Sequence, residues 1–479
     1  MKRREFIRYA TGFSVGSLFG LVGCNAAGQG MSKRSRPNVV FLLADQWRAQ
    51  AAGFAGNADV ITPNLDRLAA AGINFTNAVS CCPVCSPYRG SLMTGQYPLT
   101  HGVFVNDVQL SNKAVSIAQA YKAAGYDTAY IGKWHLDGRG RSNFTPPERR
   151  QGFEFWRALE CTHNYNNSIY YADSDVKLKW DGYDAIAQTR AAQRYIRSHA
   201  AGKPFALFVS WGPPHAPYHT APSKYKALFE GRDIKLRPNV PEKMRARAKK
   251  DIAGYYAHIA ALDDCVGWVN ETLKECGLQD NTILVFTSDH GDMLYSQGGR
   301  KKQQPWDESI KVPFLIRYPA VLGAGGSRLD MPFNTPDIMP TLLGLSGIDV
   351  PDTAEGEDYS GVLTGREKAG NDAALIMCPQ PFGQWIRRIG GREFRGVRTR
   401  RYTYTRDLNG PWLLYDNAKD PYQMNNLCNK TKYARVQKQM EAILARKLKE
   451  TNDQFLSGPE YIKKWGYVVD KNGTVPYTK

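Results

Sequence analysis

Four short hydrophobic runs in this chain each lead directly into polar residues of the kinds found in active sites. Each run has the length of one strand and is followed by Asp, Lys, Ser or His, which predicts buried strands of a parallel sheet. The four runs, with the residues that follow them, are "RPNVVFLLADQWR", "YDTAYIGKWHLDG", "KPFALFVSWGPPHAPYH" and "NTILVFTSDHGDM".

The segments between these runs have helical periodicity, as in "TPNLDRLAAAGINF" and "DIAGYYAHIAALDDCVGWVNETLKECG". Strands that alternate with helices predict an α/β fold with a mostly parallel sheet flanked by helices. Ligands bind outside the carboxyl ends of such strands, so we expect the polar residues after the four runs to meet at one edge. One Asp or His after a strand is more often a turn residue or cap, but four together point to a site.

The pattern changes from about residue 370. "RGVRTRRYTYTRD" and "PWLLYDNAKDPYQMNNL" predict short antiparallel strands, and "KYARVQKQMEAILARKLKETND" predicts a helix. We therefore predict a catalytic domain over residues 31–365 and a smaller C-terminal α+β subdomain over residues 366–479.

The first thirty residues are typical of an export signal. "MKRREFIRYATGFSVGSLFGLVGC" has a basic start with paired Arg3 and Arg4, which resembles a twin-arginine signal. It ends in "LVGC", which resembles a lipoprotein cleavage site with Cys24 as the acylated residue; a plain cleaved signal is the alternative. We expect an exported protein of a bacterium, periplasmic or anchored to the membrane only through a lipid at Cys24.

The chain has 63 Lys and Arg against 45 Asp and Glu, a net charge of +18. Such a surplus favours anionic partners. The basic runs "KMRARAKK" and "IRRIGGREFRGVRTRRYTYTR" carry much of it. Zinc-finger spacing, an RNP-like strand and a basic zipper are all absent from the sequence, so we expect a polyanionic substrate and no nucleic acid.

The stretch "CCPVCSPYRGSLMTGQYP" holds three of the nine cysteines. Pro87 suits the first turn of a helix and Ser86 is the expected cap, which puts Cys85 at a helix N-terminus that favours an anion. Arg89 lies four residues on, on the same face, so Cys85 could be an activated nucleophile; a buried structural cysteine is the alternative. The other cysteines indicate no regular disulfide framework, although Cys265 and Cys276 could pair.

The motif Cys-x-Pro-x-Arg followed by "GSLMTG" resembles the signature of the type I sulfatases, within the alkaline-phosphatase-like superfamily. The resemblance spans residues 37–430, and its companion motifs occur in the family's order: "LLADQ", "GKWH", "PPHAPYH", "TSDHGD", "RKKQQPWDESIKVPF" and "LYDNAKDPYQMNNL". It implies that a maturation enzyme oxidises Cys85 to formylglycine. The hydrated gem-diol would then attack sulfur, and the sulfated intermediate would collapse to release sulfate.

The resemblance also implies one divalent cation. Its ligands would be Asp45, Gln46, Asp289, His290 and the formylglycine oxygen at Cys85. Gln46 stands where many members have Asp, and His290 where many have Asn. Oxygen ligands favour Ca²⁺, with Mg²⁺ or Mn²⁺ as alternatives, and Gln46 could instead be a non-ligating residue at the strand end.

By the same resemblance, Arg89, Lys133 and Lys302 would bind the sulfate oxygens and stabilise the transition state. Lys302 is chosen over Lys301 because it lies four residues before Trp306. His135 would orient or deprotonate the diol, and His215 would be the general acid; these two roles could be exchanged.

A larger set of residues could line the substrate cleft, although an ordinary packing or surface role is favoured for each: Trp47, His163, Asn164, Tyr165, His219 and residues 387–406.

The expected function is hydrolysis of sulfate esters on a sulfated carbohydrate. A formylglycine-dependent phosphonate or phosphodiester hydrolase is the alternative within enzymes, because that related group often has an Asp-Gln pair. From another class, the alternative is a non-catalytic lipoprotein that binds sulfated glycans.

Overall fold

An eight-stranded, mostly parallel sheet is the centre of the fold in the computed structural model, which describes residues 36–368 and 370–476. Arg3, Arg4, Cys24 and the rest of the predicted export signal lie outside the described residues. The strands are β1 (Asn38–Asp45), β2 (Ile73–Phe75), β3 (Ala78–Val79), β4 (Asp127–Lys133), β5 (Phe155–Leu159), β6 (Ile169–Tyr170), β7 (Leu178–Lys179), β8 (Phe205–Pro214), β9 (Thr282–Ser288), β10 (Phe314–Arg317), β11 (Ser327–Leu329), β12 (Phe333–Asn334), β13 (Ala373–Cys378), β14 (Phe394–Thr399), β15 (Tyr402–Asp407) and β16 (Gly410–Asp416).

The strands of the large sheet lie in the order β11-β2-β10-β9-β1-β8-β4-β5. The five from β9 to β5 are parallel, and β10 runs antiparallel to β9 and β2. Strand β1 is central, with Val40 opposite Leu207 of β8 and Leu284 of β9. The carboxyl ends of β1, β4, β8 and β9 therefore meet at one edge, and the predicted α/β fold is confirmed.

Both faces of the sheet are covered by helices. They are α1 (Pro63–Ala71), α2 (Cys85–Thr94), α3 (Pro98–His101), α4 (Ile117–Ala123), α5 (Asp184–His199), α6 (Ser223–Lys226), α7 (Arg245–Glu275), α8 (Asp307–Ile310), α9 (Pro319–Leu322), α10 (Ile338–Leu345), α11 (Ser360–Leu363), α12 (Ala434–Glu450) and α13 (Gly458–Trp465). Within residues 36–368 and 370–476, none of them has the length and apolar character needed to cross a membrane.

Strand β1 explains why the hydrophobic runs are uninterrupted. Val39, Phe41 and Leu43 point into one core, which includes residues of α2, α4 and α10. Val40 and Leu42 point into the other core, which includes residues of α5 and α7. Side chains alternate between faces along a strand, so a strand buried on both sides needs apolar residues at every position.

The smaller C-terminal unit contains an antiparallel sheet in the order β13-β14-β15-β16, with α12 packed on it. This agrees with the predicted antiparallel strands. Ala374 and Ile376 of β13 share a hydrophobic cluster with Val79 and Ile310 of the large unit. The boundary near residue 365 stays a prediction.

The cysteines within the described part of the chain all have free thiols. The disulfide between Cys265 and Cys276 that the sequence left open is therefore not formed. Cys265 is instead buried in the core beside α5, where its thiol lies 3.7 Å from the Ala185 carbonyl oxygen.

A buried ion pair connects the C-terminal segment to the antiparallel sheet. The guanidinium of Arg395 on β14 is bonded to the carboxylate of Asp453, which follows α12, and both side chains are almost fully buried. The Tyr461 hydroxyl of α13 donates to the same carboxylate at 2.6 Å. Removing one partner would leave a buried charge without its counter-ion, which is costly.

We expect Arg395→Ala to lower the free energy of unfolding by about 3–5 kcal/mol, because Asp453 would remain buried and unpaired. Urea denaturation followed by fluorescence measures the change. The matched control is Arg435→Ala, which removes an exposed arginine of α12 and should change stability by less than about 0.5 kcal/mol. Equal effects of the two substitutions would contradict the importance of this pair.

Candidate active site

The structure brings the sequence-predicted site residues together at the carboxyl edge of the large sheet. They come from strand ends, from α2 and from the loop after β9, and all are buried. They are Asp45, Gln46, Cys85, Arg89, Lys133, His135, His215, Asp289, His290 and Lys302.

The Cys85 thiol is at the centre of this group. Its Sγ lies 2.8 Å from Lys302 Nζ, 3.3 Å from His290 Nε2 and 3.6 Å from Asp45 Oδ1. Burial raises the pKa of this thiol, but Lys133, Lys302 and His290 together lower it well below its ordinary value. The position therefore favours an anion or an electron-rich oxygen.

Helix α2 begins differently from the expectation. Val84 is the N-cap and makes no side-chain cap bond, so the prediction of Ser86 as the cap is wrong. Ser86 lies inside the first turn, where its backbone N–H donates to Asn106 Oδ1 at 3.1 Å. One N–H group of the first turn thus finds its partner on another loop, and Cys85 is the first helical residue.

Asp45, Cys85, Asp289 and His290 could hold a metal ion. One ligand atom from each lies within 4.8 Å of the others. His290 Nδ1 lies 2.9 Å from the Gly291 carbonyl oxygen, which requires the proton on Nδ1. In the neutral ring the lone pair is therefore on Nε2, which points toward the cluster, 3.6 Å from Asp45 Oδ1 and 3.5 Å from Asp289 Oδ1.

Gln46 also presents a free acceptor. Its side-chain Nε2 donates to Asp292 Oδ2 at 2.7 Å, and the Tyr218 hydroxyl donates to the same oxygen at 2.5 Å. The amide oxygen Oε1 is buried and lacks a hydrogen-bond partner among the described residues. Because a buried acceptor without a partner is costly, this oxygen fits a metal ligand.

Two cations balance the buried carboxylates. Lys133 Nζ lies 2.5 Å from Asp45 Oδ2, and Arg89 Nη2 lies 3.4 Å from the same oxygen and 3.2 Å from Asp289 Oδ2. Arg89 Nη1 donates to the Lys133 carbonyl and to Ser210 Oγ, which fixes its plane. Burial and Cys85 raise the pKa of Asp45, yet Lys133 and other cations bring it below its usual value.

His135 is paired with a carboxylate that the sequence did not reveal. Its Nε2 lies 2.8 Å from Asp107 Oδ1, and Arg141 Nη2 donates to Asp107 Oδ2 at 3.1 Å. Burial lowers the pKa of His135, but Cys161 and Asp107 raise it to about 9. This histidine is therefore held in its protonated form beside Asp107.

His215 has the opposite character. Its Nδ1 lies 2.8 Å from the Ala216 carbonyl oxygen and its Nε2 lies 3.3 Å from Lys302 Nζ. Burial and the Lys302 charge hold the pKa of His215 well below its ordinary value. A neutral His215 with the proton on Nδ1 accepts at Nε2 from the Lys302 ammonium.

The catalytic cavity is small, about 120 Å³, and its wall includes residues from both units. His163 lines it, beside His215, with ring centroids 4.6 Å apart. Asn164 and His219 are exposed and are not part of this wall.

Two other cleft candidates, Trp47 and Tyr165, are fully buried packing residues. Trp47 Nε1 donates to the Ala51 carbonyl, and the Tyr165 hydroxyl donates to the His215 carbonyl at 2.9 Å. The packing interpretation favoured for them is therefore correct.

Several site residues were missed by the sequence interpretation. Asp107 lies on the loop between α3 and α4, which follows no hydrophobic run. Arg141 lies on the loop after β4, three residues beyond the end of the quoted run, so no pattern marked either residue. Asp292 stands two residues after His290, within the quoted "TSDHGDM", and Ser210 lies within β8, in the quoted "KPFALFVSWGPPHAPYH". Their positions offered a signal, but their partners are known only from the fold.

Comparison with known proteins gives the family. The Sulfatase family model matches residues 37–348, and a model described as N-sulphoglucosamine sulphohydrolase, C-terminal, matches residues 298–450. An ulvan-active sulfatase of Formosa agariphila is 45% identical over 448 residues, covering 92% of this chain and 87% of that protein. The chain belongs to the sulfatase family.

Solved structures agree with this fold. The crystal structure of a candidate sulfatase from Bacteroides fragilis has a TM-score of 0.80 and 33% identity, covering 91% of this chain and 99% of that one. A phosphonate monoester hydrolase of Agrobacterium radiobacter has a TM-score of 0.70 and 27% identity, covering 88% and 96%. The chain is thus similar to enzymes that cleave either sulfur or phosphorus esters.

We expect Asp107→Asn to lower kcat/KM for sulfate ester hydrolysis about 100-fold, because His135 loses the carboxylate that orients it and stabilises its protonated form. Asn tolerates the positive φ of 66° at this position, so the backbone should persist. Steady-state kinetics measures the change, with the exposed Asp173→Asn as control. Unchanged kcat/KM would mean that Asp107 has only a structural role.

Proposed function

We propose that this sulfatase removes sulfate esters from a polysaccharide of the ulvan kind. The observation that carries the proposal is the buried, cation-rich site around Cys85, in which Arg89, Lys133 and Lys302 surround one potential nucleophile. Lys133 and Lys302 line the small cavity, and Arg89 is bonded beside it to Asp45 and Asp289. Fixed positive charges of this kind suit a tetrahedral oxyanion whose negative charge grows in the transition state. The identity to an ulvan-active sulfatase supports the choice of polymer.

The family implies formylglycine made from a cysteine, and we propose Cys85 as that cysteine. A maturation enzyme would convert it, and the hydrated aldehyde supplies an oxygen nucleophile in place of the thiol. Cys85 lies at the first turn of α2, where the Lys302 ammonium, 2.8 Å from the sulfur, can stabilise a bound oxygen anion.

The family also implies a metal ion, and we propose that Asp45, Gln46, Asp289 and His290 hold it. Two carboxylates, one amide oxygen and one imidazole form a mixed site in which oxygen predominates, so Ca²⁺ is the preferred ion and Mg²⁺ or Mn²⁺ are alternatives. A bound divalent ion polarises the sulfate and lowers the pKa of an oxygen nucleophile.

We assign the proton for the leaving alcohol to the pair of Lys302 and His215. The neutral His215 accepts at Nε2 from the Lys302 ammonium at 3.3 Å, so the proton available at this position is that of Lys302. His135, charged beside Asp107, is suited to orient the nucleophile and to exchange a proton with it. The general acid is therefore shared and is not His215 alone.

One alternative has specific support, and the site argues against a second. The likeness to a phosphonate monoester hydrolase keeps hydrolysis of a phosphonate or phosphodiester open, because a tetrahedral phosphorus ester would meet the same cations. A non-catalytic glycan-binding lipoprotein would not need a complete set of Cys85, Arg89, Lys133 and Lys302 around one cavity.

We further propose that the protein acts outside the cytosol, in the periplasm or on a membrane through a lipid on Cys24. The basic start and the "LVGC" ending of the first 24 residues support this.

The activity test compares sulfate release from ulvan with turnover of an aryl sulfate and of an aryl phosphodiester. We expect sulfate release, and at least about a 10³-fold loss in Cys85→Ala, because the nucleophile is removed. Cys82→Ala is the matched control, since Cys82 is a buried packing residue three positions away. A strong preference for the phosphodiester would favour the alternative enzyme class.

Peptide mass spectrometry of active protein from the native host completes this test. Formylglycine at Cys85 and an acyl group at Cys24 are the expected modifications. An unmodified Cys85 thiol in fully active enzyme would contradict the mechanism. A mature chain that begins elsewhere would contradict the lipid anchor and leave the mechanism standing.

For the metal, we expect Gln46→Asn to weaken Ca²⁺ binding about 10- to 100-fold, because the shorter amide cannot reach the ion. Asn accepts the positive φ of 69° at this position. Titration calorimetry on metal-stripped protein, with Ca²⁺, Mg²⁺ and Mn²⁺ in turn, measures affinity; Gln96→Asn, away from the site, is the control. Unchanged affinity in Gln46→Asn would make Gln46 a non-ligating strand-end residue.

A further inference from the structure

A second, larger cleft adjoins the catalytic cavity. Its volume is about 530 Å³, against about 120 Å³ for the catalytic cavity. Gln384 lines both. Lys302 lines the catalytic cavity, and the preceding residue, Lys301, lines the second cleft. Because consecutive Cα atoms are about 3.8 Å apart, the two spaces lie next to each other at this point.

Three tryptophans form the apolar part of this second cleft, which we name the tryptophan cleft: Trp306, Trp385 and Trp412. Trp306 and Trp412 meet edge to face with ring centroids 6.0 Å apart. Phe394 packs against two of these tryptophans, and its ring centroid lies 6.2 Å from that of Trp385 and 6.2 Å from that of Trp412. The rings are held in place by this packing, and aromatic faces of this kind suit a flat apolar ligand surface.

The polar part of the tryptophan cleft is cationic. Arg300, Lys301 and Arg392 line it, and none of the described residues that line it is acidic. Arg392 lies 4.4 Å above the Trp412 ring and is held there by Asp407 at 2.9 Å. Arg300 is exposed, so the positive charge of the cleft extends to the protein surface. The cleft therefore attracts an anionic group and offers aromatic surface beside it.

A sugar that carries a carboxylate or a sulfate combines the two properties that this lining requires. The C–H face of a pyranose ring is apolar, and its acidic substituent is a negative charge at the ring edge. The volume of the cleft is within the roughly 300–1,000 Å³ of small-molecule sites. A polymer whose sulfate ester lies at Cys85 would bring its next sugar units out of the narrow cavity past Gln384.

We propose that the tryptophan cleft binds a second, anionic sugar unit of the same polysaccharide whose sulfate lies at Cys85. The inference rests on the proposed function and adds a recognition site outside the catalytic residues. It makes the enzyme selective for oligomers with acidic groups on neighbouring sugars over isolated sulfated sugars. Arg300 and Arg392 are specificity-determining residues and not catalytic ones.

The first experiment measures kcat/KM of Arg300→Ala and Arg392→Gln on two substrates. One is a sulfated oligosaccharide with a uronate next to the sulfated sugar, and the other is 4-nitrophenyl sulfate. We expect a loss on the order of tenfold for the oligosaccharide, the effect of one charge-assisted hydrogen bond, and unchanged turnover of the aryl sulfate. The amide in Arg392→Gln can still donate to Asp407, which limits damage to the fold.

The matched control is Arg388→Ala, which removes an exposed arginine of the same segment that does not line the cleft. It should leave both activities as in the wild type. An equal loss in Arg388→Ala would indicate a general effect of positive charge and would overturn the proposal. So would wild-type activity of Arg300→Ala and Arg392→Gln on the oligosaccharide.

Chemical variants of the oligosaccharide identify the anion. If reduction of the uronate to a neutral sugar lowers wild-type kcat/KM about tenfold and Arg300→Ala adds no further loss, the carboxylate is the ligand. If only removal of a sulfate from the neighbouring sugar has this effect, the sulfate is the ligand. If neither change has any effect, the cleft does not bind an anionic sugar and the proposal fails.

Binding to Cys85→Ala separates this proposal from the proposed function, because that variant needs no turnover. Calorimetric titration with the sulfated oligosaccharide should show binding that Arg300→Ala weakens on the order of tenfold. Such binding without sulfate release by the mature wild type would overturn the function but keep the cleft. Sulfate release by the mature wild type, with oligosaccharide binding to Cys85→Ala that Arg300→Ala does not weaken, would overturn the role of the cleft and keep the proposed function.

Discussion

The charge balance around Asp45 and Asp289 is the constraint on which the rest of the site depends. Two carboxylates are buried there with almost no access to water, and isolated buried charges of this kind are very costly. Arg89 and Lys133 lie within 3.4 Å of them and supply the counter-charge. Because these cations come from α2 and β4, the helix and the strand must stay in place for the carboxylates to keep their counter-charge. Lys302, whose Nζ lies 2.8 Å from Cys85 Sγ, adds positive charge beside the thiol.

The parallel sheet supplies that register. Strand β1 lies between β8 and β9, so Asp45, His215 and Asp289 come to the same edge although they are far apart in the sequence. A turn at a strand end can carry a polar side chain without disturbing either core, because the apolar alternation ends there. In each of these segments, the apolar residues of the strand belong to the hydrophobic cores, and the polar residues at its carboxyl end belong to the site.

The sequence was most informative where burial is uniform along a segment. Uninterrupted apolar runs predicted β1, β4, β8 and β9, and the family signature led to Cys85 and its neighbours. The cap of α2 was predicted wrongly. The Ser86 N–H donates to Asn106 on a separate loop, and a contact between residues so far apart cannot be predicted from the local sequence. Asp107 was missed for the same reason. Its contact with His135 joins loops 28 residues apart, and neither loop has a periodic pattern.

The small catalytic cavity also limits where substrate choice can be made. About 120 Å³ leaves room for the sulfate group and the atoms next to it, so the rest of a polysaccharide must contact residues farther out. Phe382 and Gln384 of the C-terminal unit already border this cavity. The tryptophan cleft beyond it is lined by the loop after β9, by the loop before β14 and by Trp412 of β16. The residues around Cys85 come from the large unit, whereas both units contribute to the tryptophan cleft, the smaller one with Trp385, Arg392 and Trp412. A change in the smaller unit can therefore alter the polymer that is recognised while the positions of Asp45, Cys85 and Asp289 stay the same.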